Sequence, residues 1–329
     1  MDNAISIRGV RKTFGTKVAV DNLDLSIKLG SVCGFIGPNG AGKTTTIRMI
    51  MSIIFPDSGT VEVLGRKSAL ESKDRIGYLP EERGLYKKMK VGAFLNYIAQ
   101  LKGIDSNATD ALVKEWLLKV GLEKEYKKKC EELSKGMQQK IQFIATVIHT
   151  PDLVILDEPF SGLDPVNRKL LRELIDEQSN AGRTIIFSTH AMFEAEELCD
   201  QIFMIHQGKK MLDGSLHGIL QKFDPHALLI ELHDSQDLTL LRSLPCIESV
   251  DPSRQRGKGK DLLQVRLHNG SEIRAAMAQI VSAVPVNKIE LQRAELEEIF
   301  IDLVTESGGM DESVLSSLAG RTSSLEGGV

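Results

Sequence analysis

The stretch Gly37-Pro38-Asn39-Gly40-Ala41-Gly42-Lys43-Thr44 decides the fold. An apolar run, Val32-Cys33-Gly34-Phe35-Ile36, precedes it, and a helix-forming segment follows, so it sits at a strand-to-helix turn. Two glycines, a lysine and a threonine at this spacing make a complete GxxxxGK[ST] phosphate-binding loop. Glycines let successive backbone N–H groups turn inward around an anion, and the helix behind them points its positive end at the same place. Lys43 then supplies a cation to the outer phosphates, and the Thr44 hydroxyl is a suitable ligand for Mg²⁺. A glycine turn with an incidental lysine is the bland reading, and the flanking strand and helix weigh against it.

Two further buried runs lie downstream, Leu153-Val154-Ile155-Leu156 and Thr184-Ile185-Ile186-Phe187-Ser188. Strand-like segments at Ala4 to Arg8 and Leu23 to Ile27 come before the loop. Short apolar strands separated by helices predict a parallel sheet covered on both faces. The helical stretch from about Val91 to His149 is too long for one crossover and reads as an inserted subdomain.

Asp157 and Glu158 stand at the carboxyl end of the second run, the edge where ligands bind in open parallel sheets. Asp157 is placed to hold the water shell of a metal, and Glu158 to polarise an attacking water. Alone, an acidic pair after a strand is more often a solvated turn; beside the phosphate loop the functional reading dominates. The third run ends at Ser188-Thr189-His190, where an imidazole can reach a γ-phosphate. Leu133-Ser134-Lys135-Gly136-Met137-Gln138 opens a helix with apolar spacing at Met137, Ile141, Ile144, Ala145 and Ile148. Ser134 reads simply as an N-cap. It also marks a second helix N-terminus able to meet an anion, in a chain with one nucleotide loop, which points to phosphate held by another subunit.

After Phe223 the texture changes. Pro225 breaks the chain, and strand, helix, strand, strand, helix, strand and a closing helix follow, the β-α-β-β-α-β order of a ferredoxin-like split motif. The polar SRQRGKGK turn separates the second and third strands of this part. Domains are expected at 1–223, with the helical subdomain at about 88–150, and at 224–305. Glycine, serine and scattered charge predict a disordered tail over 306–329.

Composition narrows the class. With 329 residues, 42 % hydrophobic and 26 % charged, the chain has the make-up of a globular protein of more than one domain. A net charge of -4 gives no electrostatic case for a nucleic-acid partner. No run approaches the roughly 20 apolar residues of a spanning helix. The longest candidate, Ile47 to Phe55, is interrupted by Arg48 and Ser52. The opening MDNAISIRGVRKTFG lacks a signal-peptide layout. Four dispersed cysteines without CxxC spacing read as reduced thiols, so a cytosolic chain is expected. Lys87, Lys88, Lys90, Lys124 and Lys127 to Lys129 read as solvated faces, with anionic headgroups as a weaker reading.

Over residues 4 to 220 the chain resembles the ABC transporter ATPase family. Gly37 to Thr44 is similar to its Walker A loop, Leu153 to Asp157 to Walker B, Glu158 to the catalytic glutamate, and Ser161-Gly162-Leu163-Asp164 to the D-loop. His190 matches the switch histidine, and Phe14, in KTFG, the aromatic that stacks on adenine. Leu133 to Met137 resembles the LSGGQ signature, with Lys135 in place of the middle glycine and Met137 in place of the glutamine. Glu81, in IGYLPEERGLY, stands where the family usually has the Q-loop glutamine, with two readings: joining Thr44 and Asp157 around the metal, or pairing with Arg83 at the surface.

The resemblance implies an α/β P-loop NTPase with N-terminal antiparallel strands, an inserted helical subdomain and a small α+β, ferredoxin-like C-terminal domain. It implies binding of ATP and Mg²⁺ by Phe14, by Gly37, Pro38, Asn39, Gly40, Ala41, Gly42, Lys43, Thr44 and Thr45, and by Ser134 and Gly136. Ser134 and Gly136 are expected to act on a partner's ATP in a head-to-tail dimer, formed with itself or with a similar ATPase. LSKGMQQK and the appended domain ending AELEEIF resemble the ABC-2 exporter branch. That branch implies a transmembrane permease partner and a peripheral position on the inner face of the membrane. A non-transport ABC ATPase of DNA repair or translation is the alternative. Such chains typically carry two cassettes or large nucleic-acid-binding insertions, whereas this one has one cassette and an acidic balance.

Overall fold

The central sheet is built from strands that are buried along their whole length. A computed structural model describes residues 3–82, 84–234, 237–253, 262–268 and 270–306. The chain forms two compact units, one reaching from its N-terminal part to Leu216, with which residues 303–306 are grouped, and one over His217–Asp302.

In the first unit, β1 (Asn3–Phe14) and β2 (Lys17–Lys28) pair as an antiparallel hairpin with apolar residues facing inward at alternate positions. β3 (Val32–Ile36) is buried at every residue and runs into the phosphate loop and α1 (Lys43–Ile50). β4 (Ser58–Val63) joins the other edge of β1, giving the order β2-β1-β4. β5 (Ile76–Leu79) leads to the helical block, α2 (Val91–Leu101), α3 (Ser106–Lys119) and α4 (Lys135–Val147). What the sequence presents as one helical stretch is thus three helices, with short 3-10 turns at Glu123–Glu125 and Cys130–Glu132 between α3 and α4. Asp105 caps α3 through the Asn107 N–H, and Ser134 caps α4 through the Met137 N–H at 3.3 Å.

β6 (Leu153–Asp157), α5 (Pro165–Asn180), β7 (Thr184–Thr189), α6 (Met192–Leu198), β8 (Gln201–His206), β9 (Lys209–Ser215) and α7 (Leu216–Lys222) follow. The six-stranded sheet has the order β5-β6-β7-β3-β8-β9. It is parallel from β5 to β8, and β9 closes the edge antiparallel to β8. Parallel strands need crossovers, and the helices that make them cover the sheet's faces. Phe35 of β3 and Phe203 of β8 have ring centroids 5.1 Å apart in a buried cluster shared with Ile5, Leu25, Ile47 and Ile155. Such aromatic pairs add about 0.5–1.5 kcal/mol beyond area burial. All four cysteines are free, and Cys33, Cys130 and Cys199 are buried.

The second unit holds β10 (Ala227–Leu232), α8 (Leu238–Arg242), β11 (Ile247–Pro252), β12 (Leu262–Leu267), α9 (Ile273–Ala283), β13 (Val286–Leu291) and the start of α10 (Leu296–Glu306). Its sheet is antiparallel throughout, in the order β11-β12-β10-β13, which is the ferredoxin-like arrangement expected from the element order. Leu228, Ile230, Val265 and Leu267 pack with Ala276 and Ile280 of α9.

Two boundaries differ from expectation. The units divide at Leu216, before α7, rather than after Phe223, because Pro225 marks the end of the helix and not the end of the first unit's contacts. Residue 306 closes α10 instead of opening a tail; 307–329 lie outside the described residues, as do 254–260 of the polar turn and the Arg83 partner expected for Glu81. Among the described residues, no helix is long and apolar enough to cross a membrane.

Candidate functional site

The phosphate loop leaves no room for side chains at two of its glycines. A Cβ on Gly37 would stand 2.1 Å from the Ile205 carbonyl oxygen. Gly42 has φ +112°, and a Cβ there would meet the Ala19 carbonyl oxygen at 2.7 Å. β8 and β2 thus press the loop into shape from outside, and only glycine tolerates the approach. α1 begins directly behind Gly42 with no side-chain cap and no acidic residue in its first turn, so its positive end faces the loop uncompensated. Lys43, on the first residue of α1, is buried. Its Nζ donates to the Gly37 carbonyl at 2.7 Å and the Pro38 carbonyl at 3.3 Å, and lies 3.4 Å from Glu158 Oε1.

Both acidic residues at the end of β6 are buried. Asp157 Oδ1 accepts from the Thr44 hydroxyl at 3.3 Å and from the Ser188 hydroxyl at 2.5 Å. Its Oδ2 is buried without a hydrogen-bond partner. Burial is the main influence on this carboxyl and raises its pKa, against the hydroxyls that favour the charged form. Glu158 takes φ +49°, unusual for a residue with a side chain and worth about 1–3 kcal/mol of strain. Its N–H is held by Ser188, through the hydroxyl at 3.0 Å and the carbonyl at 3.2 Å. The carboxylate lies between Lys43 and His190, whose Nδ1–H donates to Oε2 at 3.0 Å.

A cleft of about 370 Å³, within the size range of ligand sites, is lined by Pro38 to Thr45 together with Phe14, Lys17, Ala19, Glu81 and Glu158. Phe14 closes β1 and remains 51 % exposed, an apolar ring free to stack on a planar base, with Lys12 Nζ 5.5 Å from its centroid. Glu81 is exposed at the rim. The structure therefore brings Phe14, the loop, Thr45, Asp157, Glu158, His190 and Glu81 to one end of the sheet. It leaves Ser134 and Gly136 elsewhere, at the start of α4, outside this cleft. A Cβ on Gly136 would strike the Asn167 amide at 2.8 Å, so the signature turn packs on α5 just behind Asp164, the α5 N-cap. The lysine clusters are all exposed, in keeping with solvated faces.

Sequence reading passed over Ser188, whose hydroxyl donates to the Asp157 carboxylate and accepts from the Glu158 N–H. The signal was present, a hydroxyl inside an otherwise apolar strand directly before His190. Lys17 and Ala19 gave no signal, since their place in the cleft comes from β2 passing over the loop.

A buried lysine in a glycine loop, an oxygen-rich strand edge and a histidine facing a carboxylate define a P-loop nucleotide-hydrolysing protein. The ABC transporter family model matches residues 20–161. The uncharacterized ABC transporter ATP-binding protein YhaQ of Bacillus subtilis (strain 168) is 41 % identical over 300 residues, covering 91 % of this chain and 98 % of that protein. Nod factor export ATP-binding protein I of Burkholderia orbicola (strain AU 1054) is 36 % identical over 220 residues, 66 % of this chain and 72 % of that protein. A solved structure of the ATP-binding subunit of an ABC transporter aligns with a TM-score of 0.62 and 28 % identity, over 67 % of this chain and 93 % of that one. The chain belongs to the ABC transporter ATP-binding proteins, and it is an ATPase.

The Glu158 hydrogen bond is the main reason the His190 imidazole is held above its ordinary pKa, with burial opposing it. A raised value means the protonated form is favoured: the pair is intact below the ordinary imidazole range and loosens as pH rises through the raised midpoint. An NMR titration of His190 is expected to show that raised midpoint, and Glu158→Gln should bring it back down. An unchanged midpoint in the variant would mean that the carboxylate is not what holds the imidazole charged.

Proposed function

We propose that this chain hydrolyses Mg²⁺-bound ATP to drive export of a substrate through a separate membrane subunit, working as a head-to-tail dimer on the inner face of the membrane. The observation that carries the hydrolytic part is the meeting of Lys43, Asp157, Glu158 and His190 at one cleft. Lys43 and the loop amides hold the outer phosphates, and Phe14 receives the base. Glu158, buried beside the loop, orients and polarises the attacking water, and His190 faces the γ-phosphate from the neighbouring strand. The donor set fits magnesium, which prefers hard oxygen ligands and few protein groups: a threonine hydroxyl, a carboxylate, and a buried carboxylate oxygen, Asp157 Oδ2, without another partner. Bound with ATP, the ion would neutralise charge on the phosphates.

Two features support the dimer and the export reading. Ser134 and Gly136 stand away from the chain's own cleft, as expected of groups that serve a partner's nucleotide. Export rests on the Nod factor export relative, and on the second unit, which resembles the appended domain of ABC-2 exporters.

Glu158→Gln is expected to retain ATP binding, to lower turnover by about 10²–10⁴-fold, and to run as a dimer with ATP in size-exclusion chromatography. Parent-rate hydrolysis by the purified variant would remove Glu158 from the role. Tagged chain drawn from its own cells should co-purify with a polytopic membrane protein; recovery only from the soluble fraction, alone, would argue for a non-transport ATPase. Glu81 at the rim would add a negative charge near the metal, in place of an amide. ATP affinity is therefore expected to depend more steeply on Mg²⁺ in the parent than in Glu81→Gln, and superimposable titrations would leave Glu81 as a surface residue.

A further inference from the structure

Glu194 lines no part of the nucleotide cleft, yet it is buried, at 4 % exposure, in the first turn of α6 just after His190. A lone carboxylate in such a place costs stability unless it is paired and hydrogen-bonded, and an apolar side chain would pack without that cost. Its partners are specific. Oε2 accepts from the Thr189 hydroxyl at 2.8 Å. The same hydroxyl oxygen accepts from the Ala191 N–H at 3.0 Å, so it secures the backbone on both sides of His190. The Glu194 N–H returns to the Ala191 carbonyl at 3.1 Å. On its other side, Oε1 faces Arg168 Nη1 of α5 at 3.7 Å. One turn further along, Arg172 pairs with Glu197, so two ion pairs run between α5 and α6. α5 is the helix that begins at Asp164, the N-cap that accepts from the Val166 and Asn167 N–H groups.

We propose that Glu194 is a positioning residue for the hydrolytic centre: through Thr189 it fixes the turn that carries His190, and through Arg168 it ties that turn to the helix beginning at Asp164. The proposal rests on the roles given above to Glu158 and His190. His190 projects half-exposed from a short turn, and its contact with Glu158 at 3.0 Å survives only while that turn keeps its shape. Glu194 itself is not among the residues that line the cleft. The groups facing it are Thr189, Arg168, Glu158 and His190, and the charged groups facing His190 are Glu158, Lys43 and Glu194.

The test compares full-length Glu194→Gln, Thr189→Val and the double variant, with kcat, KM for ATP and an NMR titration of His190. Each single substitution is expected to lower kcat by about 10- to 100-fold, the loss that follows a small misplacement of a reacting group, with KM for ATP unchanged. The double variant should be no slower than the slower single one, because both remove the same link. The His190 midpoint should fall in Glu194→Gln, where a facing negative charge is gone and the Glu158 contact is loosened. Parent values of kcat and of the His190 midpoint overturn the proposal, whatever happens to Tm, and so do single losses that multiply in the double variant. If Glu194→Gln does not fold, Thr189→Val and Arg168→Met carry the same comparison. Glu158→Gln measured alongside separates the two levels. If it is inactive while the Glu194 and Thr189 variants run at full rate, only the positioning role fails; if it also runs at full rate, the assignment of the base fails and the proposal with it.

Discussion

The site depends on a buried cation held by a buried carboxylate, Lys43 beside Glu158. Neither charge would be tolerated alone in that interior. Lys43 is brought there by a loop whose path is set by backbone crowding at Gly37 and Gly42, and Glu158 by a strand end pinned to Ser188. β3 and β6 are separated in the sheet by β7, so the three strands that bear chemistry are adjacent and in register. Pairing Ile36 with Thr189, and Asp157 with Ser188, sets the phosphate loop, the acidic pair and the histidine at one level of the sheet. The fold's contribution to chemistry is this register.

Much of the candidate site was legible because it lies where sequence signals are strongest. Buried parallel strands read as unbroken apolar runs, and their ends are abrupt: Ile36 to Gly37, Leu156 to Asp157, Ser188 to His190. Glycine spacing then specifies a turn with few alternatives. In the second unit, the alternation of Ala227 to Leu232 against a polar turn and two short helices was enough to give the antiparallel order.

What the sequence did not disclose follows from the same physics. β4 (SGTVEV) and β9 (KKMLDGS) lie at sheet edges, face solvent for most of their length, and so carry no apolar run. β5 has only four residues, too few for a pattern. β8 (QIFMIH) does carry one, and could have been read. The helical block is divided by Gly103 and Gly121, each at positive φ just past a helix end, a break that the sequence does show. Glu194 was unreadable for a different reason: an acidic residue early in a short helix is ordinarily a solvated dipole partner, and only the packing of α5 against α6 turns it into a buried one.

The left-handed backbone at Glu158 sets main chain and side chain against each other at a single residue. A glycine would accept φ +49° without strain, but it would also strip the buried Lys43 of its carboxylate, so easing the turn breaks the charge pair. Variation at this position therefore answers to two opposed demands, and any side chain that relaxes the turn unbalances the charge beside it.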